Sequence, residues 1–168
     1  MKFAYADPPY LGMGKKYSVL HPEAEIWDDP KSHTDLVERL SDEYPDGWAV
    51  SLSVPSLKLY LSACPSDVRI GTWTKTFHQI RVNVPIQYAW EPVIWRGGRK
   101  ETPVKPMVRD WHSGRIAMKK NFYGAKPQDF NLWVLNLLQY RKGDTLDDLF
   151  PGSGSMSEAV KTIEEVSL

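Results

Sequence analysis

The sequence predicts an α/β fold on a mostly parallel sheet, and three observations carry that expectation. Short apolar runs with strand character alternate with segments of helical periodicity, the pattern of strands joined by crossover helices. The clearest helical segment lies late in the chain, with Phe130, Trp133, Val134, Leu137 and Leu138 at i, i+3, i+4, i+7 and i+8. A strand, a glycine turn and a helix then close the chain, the arrangement by which α/β proteins bring backbone close to a nucleotide-like ligand. With 168 residues, 42% hydrophobic and 25% charged, the chain suits one soluble domain spanning 1–168. No internal repeat or linker divides it.

Lys2 to Ala6 reads as a first strand, stopped by Pro8 and Pro9, which cannot continue a central ladder. A long loop follows. Thr34 to Tyr44 is expected to be helical, with Leu36, Val37 and Leu40 on one face and Ser32 or Thr34 as cap. Trp48 to Ser53 reads as a second strand, Pro55 to Ala63 as a short helix and Val68 to Trp73 as a third strand. Ile86 to Trp95 holds at least one more, broken up by Pro85 and Pro92. Glu101 to Ala125, rich in Gly, Pro and base, reads as an irregular excursion. Pro127 suits the first turn of the late helix, and Gly143 its stop. Thr145 to Leu149 is expected to be a strand, and Met156 to Val166 the closing helix.

Several functional classes fall away on composition. Cys64 is the sole cysteine, so no internal disulfide and no cysteine zinc site is expected, and a reducing cytoplasm is the default compartment. The apolar runs are too short to span a bilayer, and Asp7 with two prolines interrupts the apolar start, unlike a signal peptide. His21, His33, His78 and His112 lack metal-ligand spacing and read as surface or structural residues. Gly12-Met13-Gly14-Lys15 has the wrong spacing for a phosphate-binding P-loop. It reads either as a flap carrying Lys15, Lys16 and Tyr17 toward nucleic acid or as a plain loop.

The net charge is zero, but its distribution is uneven. Acids crowd Glu23 to Asp46, whereas bases crowd the segment 96–126: Arg96, Arg99, Lys100, Lys105, Arg109, Arg115, Lys119, Lys120 and Lys126. The pattern fits either one face that attracts polyanions or two solvated loops. Trp73, Trp90, Trp95 and Trp133 are expected in the core. Trp111, amid the bases, either stacks on a nucleotide or packs over its own loop.

Two segments carry chemistry. Asp7-Pro8-Pro9-Tyr10 directly follows the first strand. An amino group on an aromatic base is a poor nucleophile because its lone pair is delocalised into the ring. Acceptors against both N–H groups draw the nitrogen toward tetrahedral geometry and expose that pair. The Asp7 carboxylate and the Pro8 carbonyl suit that task, since consecutive prolines fix the direction of the carbonyl; Tyr10 offers a surface for an extruded base. The same tetrapeptide also fits a rigid strand-to-loop turn. The second segment, Asp148-Leu149-Phe150-Pro151-Gly152-Ser153-Gly154, is a glycine turn between strand and helix.

Together these segments resemble the amino-methyltransferases of DNA. In that family a D-P-P-Y motif holds the target amino group and an F-x-G-x-G turn cradles the methionine part of the cofactor. Lys126-Pro127 resembles the family's K-P segment, which opens the helix leading to the glycine turn and helps bind cofactor. The order of the three is the permuted order of the β group, found among restriction-system and phage enzymes. The resemblance therefore implies a Rossmann-like S-adenosylmethionine-dependent methyltransferase fold. It places Asp7, Pro8, Pro9 and Tyr10 as catalytic residues. It places Asp7, Lys126, Pro127, Asp148, Phe150, Pro151, Gly152, Ser153 and Gly154 around S-adenosylmethionine. The family's N4 cytosine enzymes usually begin the motif with serine, so Asp7 points to adenine N6. Trp90-Glu91-Pro92 resembles a late family motif lining the base pocket.

In this reading DNA or RNA docks on Lys15, Lys16, Arg96, Arg99, Lys100, Arg109, Arg115, Lys119 and Lys120. The segment 96–126 stands where restriction-type members carry a large recognition insert, which implies loose sequence specificity. The resemblance departs in a second place, because the family continues to a further strand whose acid holds the cofactor ribose. The sheet is therefore expected to be truncated after the glycine-turn helix, its edge covered by a second copy or a partner chain. Glu164 and Glu165 lie on the last helix and take no ribose role. Competing readings are a cytosine-N4 or RNA-adenine enzyme, a glutamine methyltransferase, which prefers Asn at the place of Asp7, and a silent nucleic-acid-binding subunit.

Overall fold

The computed structural model describes residues 1–18, 21–77, 80–100, 107–117 and 124–166. Its sheet has six strands: β1 (Lys2–Ala6), β2 (Gly47–Ser51), β3 (Arg69–Lys75), β4 (Trp90–Gly97), β5 (Trp111–Gly114) and β6 (Thr145–Asp148). They lie in the order β5-β3-β4-β2-β1-β6. β1 pairs parallel with β2 and β6, and β3 parallel with β5, whereas β4 runs antiparallel to both β2 and β3. Five strands thus point one way and β4 alone is reversed. The sheet is mostly parallel, as the alternating pattern predicts.

The alternation of strand side chains builds a core on each face. Phe3 and Tyr5 of β1, Ala49 of β2 and Val93 and Trp95 of β4 pack under α4 (Gln128–Leu137) and α5 (Ser155–Val166). Ala4 and Ala6, Trp48 and Val50, and Ile94 face the other way, toward α2 (Pro30–Glu43) and α3 (Leu57–Ala63). Burial on both faces explains why β1 and β2 read as nearly continuous apolar runs.

Several boundaries differ from expectation for local reasons. α2 starts at Pro30 because Asp29 caps it, its carboxylate accepting the Lys31 N–H at 2.9 Å; Ser32 and Thr34 lie inside the helix. Pro127 is the cap residue of α4 rather than part of its first turn. That helix ends with Gln139 in the left-handed region (φ 53°), and Gly143 (φ 85°) serves the next turn. Pro92 lies within β4, where its carbonyl still accepts from Leu52. The basic excursion contains β5, too short and polar to show a strand pattern. The long loop after β1 holds α1 (Gly14–Tyr17) and a 3-10 segment, Pro22–Asp28, with Gly14 N–H donating to Asp28 Oδ1 at 2.8 Å. Among the described residues, no helix is long and apolar enough to cross a membrane.

The topology fixes the site. The carboxyl ends of β1, β2, β3, β5 and β6 share one edge of the sheet, and reversal brings the amino end of β4 to the same edge. Asp7, Lys75, Asp148 and Glu91 all arrive there from different strands, the place where open α/β sheets bind ligands.

Candidate active site

Asp7 follows the last residue of β1, and the double proline prevents further pairing. Lys126, just before α4, reaches across to it: Nζ lies 2.9 Å from Asp7 Oδ1, 3.1 Å from the Tyr10 hydroxyl and 3.5 Å from Glu91 Oε2. The Tyr10 hydroxyl donates to Glu91 Oε2 at 2.7 Å, and Lys75 donates to Glu91 Oε1. The antiparallel register sets Trp73 opposite Glu91, so Lys75, two residues on, meets Glu91 diagonally. Two ammonium groups and two carboxylates therefore share one cluster, with all four side chains at least four-fifths buried.

Charges in such a place hold only as a set. Burial pushes the Asp7 carboxyl up from its ordinary value, a rise that Lys126 offsets only in part. Burial also works to raise Glu91, but Lys126 and Lys75 outweigh it and hold that carboxyl below its ordinary range. Lys126 loses solvation, yet Asp7 and Glu91 more than restore its preference for the ammonium form. Burial and then the charge of Glu91 raise the Tyr10 phenol, which stays protonated and donates.

The glycine turn lies beside this cluster. Pro151 to Gly154 forms a tight turn closed by Gly154 N–H to the Pro151 carbonyl at 2.7 Å, and Glu158 N–H bonds the Gly154 carbonyl as α5 begins. Gly152 (φ 42°) and Gly154 (φ 76°) hold left-handed conformations. Among the described residues, no atom beyond its chain neighbours lies within 4 Å of where a Gly154 Cβ would stand. Asp148, at the end of β6, accepts the Phe150 N–H at 3.3 Å. Burial, with a further push from Asp7, raises its carboxyl to about 6.

One cleft of about 1820 Å³ joins the two parts, running from Asp7 to Tyr10 past Glu91 and Lys126 to Asp148, Phe150 and Gly152. A single ligand pocket is typically about 300–1,000 Å³, so this cleft has room for a cofactor and a base together. Trp27 and Phe150 meet edge to face at 4.9 Å along one wall.

The catalytic and cofactor residues expected from sequence thus meet at one cleft, Pro8, Pro9, Pro151 and Ser153 among them, except that Gly154 stands in the turn beside it without lining it. Pro127 differs: as the cap of α4 it sets the helix that positions Lys126. The basic residues divide. Lys16 lines the cleft and Lys15 is exposed beside it on α1. Arg115, exposed, follows the site end of β5, whereas Arg109 precedes β5 at the opposite edge of the sheet, where it stacks over the half-exposed Trp111 at 5.5 Å. Arg96, Arg99 and Lys100 also lie away from the cleft, because β4 is reversed and its end lies at that opposite edge of the sheet. There Arg96 pairs with Asp67 at 2.7 Å and Arg99 with Asp144 at 2.6 Å, beside the chain amino terminus. Arg96 and Arg99 are thus corrected from substrate-facing to structural residues, and Lys100 is exposed at that edge, away from the cleft. Lys105, Lys119, Lys120 and His78 lie outside the described residues.

Trp90, expected in the core, is only partly buried and lines the cleft, while Trp73, Trp95 and Trp133 are buried. His33 is a structural histidine, bonded to the Tyr60 hydroxyl and the Trp27 carbonyl. Lys75 is the site residue that sequence reasoning missed. Its one signal is a charge on the same strand face as Trp73, legible only once the β3–β4 register is known.

The fold and the strand-end site define a Rossmann-like α/β protein of the kind that S-adenosylmethionine-dependent methyltransferases use. Among solved structures, the chain is similar to that described as the crystal structure of the M1.HpyAVI-SAM complex. The TM-score is 0.53 at 14% identity, covering 97% of this chain and 78% of that one. No protein-family model matches the chain, and no curated protein does.

Proposed function

We propose that the chain, as a single domain, transfers a methyl group from S-adenosylmethionine to the N6 amino group of adenine in DNA. One observation carries this reading: the Asp7-Pro8-Pro9-Tyr10 segment and the glycine turn open into the same cleft, with Lys126 anchored on Asp7. The residues present fit the cofactor. Gly154 leaves open space beside the turn, and Asp148 is an acid without a described ion pair, suited to a ligand with cationic groups. The solved structure of similar fold is itself a SAM complex.

The cofactor supplies an electrophilic methyl carbon, which gains the bond to nitrogen as the bond to sulfur breaks and sulfur keeps the electron pair. All other work falls to this chain. The Asp7 carboxylate and the Pro8 carbonyl accept the two N–H groups of an extruded adenine, and Tyr10 meets its ring. Holding the amine in line with the methyl carbon removes most of the entropic barrier. Positive charge develops on the amine during transfer, so the nearby Asp7 carboxylate favours the transition state. Asp7, its carboxyl raised by burial, then takes the proton that the amine sheds and releases it to solvent. Lys126 acts through Asp7 and Tyr10 as a positioning residue. Lys15, Lys16 and Arg115 meet the phosphates.

The experiment is transfer of labelled methyl from S-adenosylmethionine to unmodified DNA, with RNA in parallel, followed by nucleoside mass spectrometry. The expected product is N6-methyladenine in DNA. N4-methylcytosine corrects the base, label confined to RNA corrects the polymer, and no label on either overturns the reading in favour of a silent subunit.

A further inference from the structure

Asn131, one turn into α4, is fully buried, and among the described residues neither its Nδ2 nor its Oδ1 has a hydrogen-bond partner. Buried amides are almost always paired, because an unpaired one forfeits its hydration for nothing. Leucine, branched at the same carbon though larger, carries no polar group and would incur no such loss. The location of the amide shows what completes it. Asn131 lines the cleft together with Asp148, Ser155 and Met156, the end of β6 and the first turn of α5. Gln128, one turn earlier on the same stripe of α4, donates to Thr162 of α5 at 3.1 Å, so this stripe faces α5. Trp73 lines the same cleft, its ring 4.8 Å from that of Phe130, and its buried Nε1 likewise has no partner among the described residues.

We propose that the Asn131 side-chain amide binds the amino-acid end of the cofactor, Nδ2 donating to the carboxylate and Oδ1 accepting from the ammonium. The inference rests on the cofactor reading above. A primary amide both donates and accepts, which matches a zwitterion. The opposite wall is aromatic: Trp27 and Phe150 pack with the cluster on the α2 face of the sheet, whereas Asn131 belongs to the helix on the other face. A ligand spanning the cleft thus meets aromatic surface at one end and this amide at the other, with the α5 N-terminus favouring its carboxylate.

Calorimetry on the full chain tests this with two ligands, S-adenosylhomocysteine and 5′-methylthioadenosine, which lacks the amino-acid end. Asn131→Leu is expected to weaken S-adenosylhomocysteine at least tenfold and to leave 5′-methylthioadenosine within twofold. The thermal midpoint of the ligand-free variant is expected to equal or exceed that of the wild type, because an unpaired amide is removed. Asn131→Ala, which empties the space instead of filling it, is expected to give the same selective loss. Unchanged S-adenosylhomocysteine affinity, or equal loss of both ligands, overturns the inference and leaves the cofactor reading intact. Failure of both variants to fold overturns it too, since the amide would then be supporting the fold. Wild-type protein that binds neither ligand overturns the cofactor reading itself.

Discussion

Lys126 Nζ lies 2.9 Å from Asp7 Oδ1, tying the approach to α4 to the end of β1 across 119 residues of chain. This ion pair orients the carboxylate on which the proposed chemistry depends. Lys126→Met would leave Asp7 and Glu91 together with only Lys75 to balance them. Breaking a buried pair costs about 3–5 kcal/mol, and the low end, roughly 3 kcal/mol, is expected here because Asp7 keeps some solvent contact. Urea unfolding at unchanged m value checks it; a loss under about 1 kcal/mol would show that the pair does not hold the site.

Asp7→Ala removes the acceptor and the developing-charge stabiliser at once. Methyl transfer is expected to fall by at least about 100- to 1,000-fold, the effect of losing one such electrostatic group. Affinity for S-adenosylhomocysteine should stay within a few fold. Rates at saturating cofactor, read beside calorimetry, separate the two; preserved turnover would sink the catalytic role.

Tyr10 offers both a ring and a hydroxyl. If the ring receives the extruded base, Tyr10→Ala loses roughly 1–3 kcal/mol of stacking, about fivefold to 150-fold in kcat/KM for DNA. Tyr10→Phe keeps the ring and loses only the bonds to Glu91 and Lys126, so its kcat/KM should stay much nearer to that of the wild type. Equal losses in the two variants would assign Tyr10 to the charge cluster alone.

Asp148 gives a signed pH dependence. Its folded carboxyl, raised to about 6 by burial and Asp7, exceeds its unfolded value, so the folded state holds the proton over a range where the unfolded chain has released it. Its contribution to stability is therefore greatest below pH 4 and falls as the pH rises from about 4 to about 6. Asp148→Asn should remove that decline, and melting curves of both proteins across pH 3.5–7 measure the difference. Affinity for S-adenosylmethionine, whose cationic groups favour the ionised acid, should rise through the same interval in the wild type and stay flatter in Asp148→Asn.

The two groups of arginines give opposite expectations in DNA titrations. Arg115→Ala should lower the slope of log affinity against log salt by about 0.9, one phosphate contact. Arg96→Ala should leave that slope unchanged and instead reduce stability, because Arg96 is committed to Asp67 at the far edge of the sheet.

By itself, the sequence determined the local elements and the two motif turns. The apolar run from Phe3 to Ala6, the helical stripe from Phe130 to Leu138, and glycines at the left-handed positions 152 and 154 follow from short-range sterics and burial, which any window of a dozen residues records. Only the tertiary structure decided which charges belong to the site. The reversal of β4 carried Glu91 to the cleft and Arg96 away from it, although the two are five residues apart. The β3–β4 register brought Lys75 onto Glu91. Burial alone made Asn131 an unpaired amide instead of one more polar residue on a helix. Charge pairing and desolvation depend on distances between segments remote in sequence, and those distances exist only once the sheet has chosen its strand order.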